Sequence, residues 1–307
     1  MDPKKVAVLM ATYNGEKFLA QQLDSIAEQT YSNWCLYVLD DGSTDKTWQI
    51  LQEYQTRIGA EKMQISRQPN QGASKTFLAL VCNTEIQAEY FAYADQDDVW
   101  DKDKIERAIT ILEKHPEKNI QLYCSTARLI DKENKIIGYL PLAHRKMCFQ
   151  NALVQNIAPG NTMVFNKGAR KILAFTGITN IIVHDAWTYI ALSACDSFLY
   201  YDTKPTLSYR QHDNNLIGFD RSITRYSKVL KRILSGTYSR WYRWHIQALH
   251  ILDSFTTPEA KRTLNIFEKA LQGNFVQRAY WLKKSGIFRQ STIDTIKLYL
   301  IIIFVKI

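Results

Sequence analysis

The sequence predicts an α/β fold with a mostly parallel sheet, followed by a helical C-terminal region. Three observations predict it. Through residue 118, short apolar runs alternate with segments of helical periodicity. The apolar runs are nearly continuous, as expected of strands buried on both faces. From residue 221 onward the pattern turns almost entirely helical and basic, with 16 Lys and Arg against 4 Asp and Glu. We expect one domain over residues 1–220, in halves 1–118 and 119–220, and a basic aromatic region over 221–307.

Residues 6–10 read as the first strand. After ATYNGE, Phe18, Leu19, Leu23 and Ile26 recur at helical spacing. WCLYVLD (34–40) is a second strand, and Asp45 is placed to cap a helix carrying Trp48, Ile50, Leu51 and Tyr54. KMQISRQ (62–68) is a third strand, ASKTFLALVC (73–82) a helix and YFAYA (90–94) a fourth strand. Asp101 is expected to cap a helix with Ile105, Ile109 and Leu112 on one stripe, ending before Pro116. This βαβαβα rhythm argues for a parallel sheet with helices on its faces. From 120 to 210, short strands (QLYCSTARLI, TMVFN, FLYYD, TLSYR) are interrupted by one or two helices. In the tail, turn signals stand near Gly236, Pro258, Gly273 and Gly286.

In open α/β sheets, ligands lie beyond the carboxyl ends of the strands. Three polar clusters fall there: ATYN after the first strand, DDGS after the second and DQDD after the fourth. One helix cap would not require Asp95, Asp97 and Asp98 together. Carboxylates held close raise one another's pKa unless a cation neutralises them, and hard oxygen ligands suit Mg²⁺ or Mn²⁺ bound to a diphosphate. LDDGSTD is not an EF-hand loop, because its sixth position is Asp45 and not glycine. The spacings of a P-loop and of a dinucleotide fingerprint are absent.

ATYNGEKFLAQQLDSIAEQT, LDDGSTDKT, NQGASKTF and YADQDDVW, in this order, resemble family 2 glycosyltransferases with a GT-A fold. NIAPGNTMVFNK, VHDAWTYIAL and YRQHDNNLIG extend the likeness toward the bacterial rhamnosyltransferase-type branch that builds surface polysaccharides. The likeness covers residues 5–218. It implies that Thr12, Tyr13 and Asp41, with Asp40 beside them, hold the nucleotide base. It places Lys75 at the donor diphosphate, Asp95 (followed by Gln96) at the ribose, and Asp97 with Asp95 and His212 at a divalent metal, Mn²⁺ or Mg²⁺. Asp185 becomes the base of an inverting transfer. At a helix N-terminus the dipole would hold its pKa low. Gly160, Asn161, Thr162 and His184 would line the acceptor. Bland readings stand beside these: Asp40, Asp41 or Asp185 as helix caps, Lys75 as a solvated lysine and His212 as a structural histidine. Processive relatives carry a Gln-x-x-Arg-Trp motif that this sequence lacks, so one or a few transfers are expected. The donor implied is a nucleotide-diphosphate sugar, dTDP-L-rhamnose or a UDP-hexose or UDP-N-acetylhexosamine. The acceptor implied is a polyprenyl-diphosphate-linked saccharide. A nucleotidyltransferase and a catalytically inactive, nucleotide-binding scaffold subunit are the competing readings.

The chain has 307 residues and 46% hydrophobic content, enough for a sizeable core. Its five cysteines show no metal or redox spacing, which reads as reduced thiols in a cytosolic protein. The opening MDPKKVAVLMATYNG reads as a strand, not a signal peptide, and YLIIIFVKI is too short to span a bilayer. The net charge of +9 is concentrated in the tail, where RSITRYSKVLKRILSGTYSRWYRWHIQ interleaves cations with Tyr238, Trp241, Tyr242 and Trp244. Such a segment suits an anionic membrane surface, which predicts a peripheral protein on the cytoplasmic face of the membrane. The alternatives are aromatics forming the tail's own core, a homodimer interface, or single-stranded nucleic acid, for which no RNA-binding motif speaks.

Overall fold

The computed structural model describes residues 3–212 and 237–304. The boundary expected at 220, the part of YRQHDNNLIG after His212, the turn signal at Gly236 and the basic stretch 221–236 lie outside the described residues, as does the side chain of Tyr238.

The apolar runs of the first half form a parallel sheet. β1 (Val6–Thr12) lies between β2 (Trp34–Asp40) and β4 (Tyr90–Ala94), parallel to both, and β3 (Met63–Arg67) extends the sheet beyond β2. β6 (Ile120–Ser125), β9 (Val164–Asn166) and β10 (Ser197–Asp202) complete the order β10-β6-β9-β4-β1-β2-β3. β9 runs antiparallel to β4 and β6, so the sheet is mixed but mostly parallel. β1 shows why its sequence is apolar throughout: Val6, Val8 and Met10 enter the core on one face of the sheet, and Ala7 and Leu9 the core on the other.

Helices cover both faces. α1 (Leu19–Ala27), α2 (Thr47–Ile58) and α4 (Lys104–Leu112) bury Leu19, Leu23, Leu51, Ile105 and Ile109 on the first face. α3 (Ala73–Cys82), α6 (Lys167–Phe175) and α7 (His184–Ala194) cover the second, and the short α5 (Phe149–Ala152) packs on α7. α8 (Thr237–Ile251), α9 (Pro258–Gln272), α10 (Phe275–Ser285) and α11 (Thr292–Phe304) follow, with Pro258 in the first turn of α9 and Gly286 left-handed after α10. Leu249, Leu264 and Phe267 of these helices, with Leu252 just after α8, join the same apolar cluster as Trp187 of α7.

A second sheet positions the site. β5 (Val99–Trp100) follows the DQDD loop and pairs antiparallel with β11 (Leu207–Arg210), which pairs with β7 (Arg128–Ile130) and through it β8 (Ile136–Tyr139). Pairing of Ser208 with Val99 brings Arg210 and His212 back to the aspartates before β5.

Two capping expectations need adjustment. Asp45 does bond the start of α2, accepting from the Thr47 amide at 2.9 Å, and also takes the Glu16 amide at 3.1 Å. Asp101 does not cap α4: Asp103 holds the N-cap position without a side-chain bond, and the Asp101 carboxylate pairs with Arg128. The acid is drawn away by a half-buried guanidinium from the second sheet, which local sequence cannot show.

Candidate active site

The parallel register sets Thr12 beside Asp40, and the Thr12 hydroxyl donates to Asp40 Oδ1 at 3.1 Å. Asp40 is fully buried, accepts from the Ser43 amide at 3.0 Å and pairs with Arg67 Nε at 3.1 Å. Asp41 accepts from Gln68 Nε2 and from the amides of Gln71 and Gly72, each at 2.8 Å. Neither acid caps α2. Both hold the loops that wall the strand ends, Asp41 fixing the turn that starts α3. Tyr13 is exposed, and its backbone is clamped to the Gln96 side chain by bonds of 2.8 and 3.0 Å. A Cβ on Gly15 would fall 2.4 Å from Gln96 Oε1, so this clamp needs glycine there. The first and third polar clusters are thereby joined directly.

Asp95, at the end of β4, accepts no hydrogen bond among the described residues. Burial, then the charges of Asp97 and Asp185, push its carboxyl up to about 8. Asp97 Oδ2 lies 2.8 Å from His212 Nε2, and the His212 ring packs on Phe18 with centroids 5.2 Å apart. Asp98 is fully buried and takes bonds from Asn161 Nδ2 at 2.5 Å and the Arg210 amide at 3.2 Å. Burial raises its pKa well above the usual range, with Asp97 and Asp95 adding to the effect.

Asp185 sits in the first turn of α7, but Val183 is the N-cap. Its carboxylate accepts from the Gly160 amide at 3.1 Å and the Ala186 amide at 2.6 Å. The low pKa expected from the helix dipole is not what the structure gives. Burial raises it, and the amides only offset part of that. His184 stacks on Phe77 at 3.8 Å and meets Tyr93 edge-on at 4.8 Å. Burial depresses its pKa to about 3, so it is neutral. A Cβ on Gly160 would stand 2.7 Å from His184 Nε2 and 3.0 Å from Asp185 Cβ, so this turn too needs glycine. Thr162 accepts from the Ser125 amide at 3.1 Å and donates to the Pro159 carbonyl at 2.8 Å. Lys75 is exposed in the first turn of α3 and pairs with no acid among the described residues. Its neighbour Ser74 donates to the Ile182 carbonyl at 3.1 Å, which ties the start of α3 to the loop before Asp185.

A family model described as "Glycosyl transferase family 2" matches residues 7–172, and these span both acid clusters. The chain belongs to glycosyl transferase family 2. Its relatives include the dTDP-rhamnosyl transferase RfbG of Shigella flexneri, 32% identical over 253 residues (76% of this chain, 81% of the relative). The UDP-Glc:alpha-D-GlcNAc-diphosphoundecaprenol beta-1,3-glucosyltransferase WfgD of Escherichia coli is 30% identical over 52% of this chain and 59% of its own. Among solved structures, the mannosyltransferase PcManGT of Pyrobaculum calidifontis, in complex with GDP-Man and Mn²⁺, superposes with a TM-score of 0.54 at 16% identity (98% of this chain, 86% of that one). Residues 1–349 of Staphylococcus aureus TarS with UDP-GlcNAc give 0.52 at 17% identity (91% and 79%). These two likenesses establish the GT-A fold and no more.

In this glycosyltransferase no three His, Cys, Asp or Glu side chains among the described residues surround one point as metal ligands would. The chemistry of Asp95, Asp97 and His212 nevertheless fits a hard divalent cation, and Asp95 is a half-buried acid without a hydrogen-bond donor among the described residues, which such a cation would relieve. Two residues escaped the sequence reading. Asp98 received no role of its own within the DQDD cluster, although it is the acid that Asn161 holds. Arg210, fully buried, donates to the Asp97 carbonyl at 2.9 Å, Asn134 Oδ1 at 2.7 Å and Gln21 Oε1 at 2.7 Å, and lies over the Phe18 ring. Its only signal was an arginine ending a strand two residues before His212.

Proposed function

We propose that this glycosyltransferase moves L-rhamnose from dTDP-L-rhamnose, with inversion, onto a lipid-linked saccharide during assembly of a bacterial surface polysaccharide. It would act at the cytoplasmic face of the membrane. The observation that carries the reading is Asp185: a half-buried carboxylate oriented by the Gly160 amide and close enough to Asp95 to raise its pKa. A base and the acids of the donor side thus share one electrostatic field. The likeness to RfbG supports the donor, and the diphosphoundecaprenol in the name of WfgD supports the acceptor class.

Asp185 takes the proton of the acceptor hydroxyl while that oxygen bonds to the anomeric carbon. The bond from that carbon to the diphosphate breaks on the opposite face. Thr12, Tyr13 and Asp41, with Asp40 behind them, form the base side, Asp95 and Gln96 the ribose side, and Lys75 faces the diphosphate. Asp97, Asp95 and His212 would hold Mn²⁺ or Mg²⁺, which supplies neutralising charge for the leaving group. Gly160, Asn161, Thr162 and His184 shape the acceptor side, with His184 acting as neutral packing.

A donor panel read by thermal shift, with and without Mn²⁺, tests this together with Asp185→Asn. The dTDP-rhamnose shift should be the largest and should need the metal. The variant should keep that shift and lose transfer by about 10² to 10⁴. A larger shift with a UDP-hexose transfers the proposal to that donor. Undiminished transfer by the variant removes Asp185 as the base, and absent transfer by the wild type with every donor favours the scaffold reading.

A further inference from the structure

The basic aromatic segment is expected to face lipid, and part of its described stretch is also tied to the protein's own core. Tyr242 of α8 packs edge-on against Phe267 of α9 at 5.4 Å, Trp187 of α7 stacks on His245 at 6.1 Å, and Ala248 and Leu249 are buried. The outward apolar surface lies elsewhere, on α10 and α11. These two helices pair in antiparallel fashion: Arg278 Nη1 donates to the Ile302 carbonyl at 3.2 Å, and Phe275 and Phe304 meet with centroids 5.1 Å apart.

On α10, Arg278, Leu282 and Ser285 point inward, while Val276, Tyr280, Lys283 and Lys284 point out at helical spacing. On α11, Leu298 and Ile302 point inward, while Ile293, Ile296, Leu300 and Phe304 point out. Val276 is 72% exposed, Phe304 67% and Ile293 65%. A helix apolar on both faces, as α11 is, needs a cover on both, and exposed apolar residues recurring along one helix face mark an interaction surface.

Charge decides what the cover is. Residues 275–304 carry five Lys and Arg against one Asp. Exposed Lys283, Lys284 and Lys297 interleave with the apolar residues, and the Lys284 ammonium lies 5.8 Å from the Tyr280 ring. A second copy docked through the same face would set lysines against lysines. An anionic lipid surface neutralises the cations and takes up the apolar side chains between them. No helix among the described residues is long and apolar enough to cross a membrane, so the pair would lie in the interface plane.

We infer that the outer face of α10 and α11 docks this protein on an anionic phospholipid surface. The inference rests on this face and not on the identity of the donor or acceptor. Flotation of the full chain with phosphatidylglycerol-containing vesicles, against phosphatidylcholine alone, tests it. The wild type should float with the anionic vesicles and be released by salt. Lys283→Glu/Lys284→Glu should weaken binding by more than about tenfold, and Val276→Glu/Ile296→Glu should weaken it comparably. All four positions are exposed, so melting temperatures should match the wild type. Transfer to a water-soluble acceptor, if the proposed function holds, should be unchanged in both variants, so a failure of docking is distinguishable from a failure of that function. Equal flotation of wild type and both variants overturns the inference. So does a wild type that does not float and forms a dimer which Val276→Glu/Ile296→Glu splits.

Discussion

Gly160 is the residue on which the proposed base depends most directly. Its amide binds Asp185, and the space where a side chain would begin is taken by His184 and Asp185. Gly160→Ala should therefore displace the carboxylate and lower kcat by roughly 10- to 100-fold, since a shift of about 1 Å at a reacting group costs that much. The accompanying stability loss should be about 1–3 kcal/mol. Steady-state kinetics beside a thermal melt measures both, and an unchanged kcat would remove the turn from the catalytic geometry. Asp95 allows a test by pH. Its folded pKa is raised to about 8, so between roughly pH 4 and 8 the metal-free folded state holds a proton that the unfolded state has released. The stability this contributes is present at low pH and lost as pH rises through 8. Asp95→Asn should melt higher than the wild type above pH 8, by at least about 1 kcal/mol, with the gap closing toward pH 4. Parallel melting curves across that range would show that Asp95 is not held protonated.

At the level of elements, the second sheet and the last helices hold the site by different means. β11 works through hydrogen bonds, carrying Arg210 to the Asp97 carbonyl and His212 to the Asp97 carboxylate. α8 and α9 work through packing. Phe267 is fully buried, meets Tyr242 and lies in the cluster that includes Trp187 of α7, the helix that bears Asp185. Phe267→Ala should cost about 3–5 kcal/mol by denaturant titration. A loss under about 1 kcal/mol would mean that α9 is only loosely attached to the catalytic core. Periodicity placed α9 and α10 well, because Pro258, Gly273 and Gly286 punctuate them. It left open which way the α8 aromatics face, because Trp241, Tyr242 and Trp244 suit a lipid surface and a protein core equally.

For the whole molecule, every residue proposed for donor, metal, base and acceptor lies within 1–220, the unit we propose as catalytic. The apolar cluster on one face of the main sheet is nonetheless completed by Leu249, Leu252, Leu264 and Phe267. A chain cut after residue 220 should therefore fold poorly and aggregate, seen as loss of a cooperative melt; a stable, donor-binding fragment would show that the two regions are independent. The sequence alone settled the parallel sheet, the three polar loops at its carboxyl edge and the family, because those follow from local periodicity and from residues next to one another in the chain. Only the tertiary structure decided that Asp185 has a raised pKa, that Asp98 is held by Asn161 and Arg210, and that Tyr242 of α8 packs against Phe267. Burial and hydrogen-bond partners come from residues tens to more than a hundred positions away, and no pattern along the chain records which of them meet.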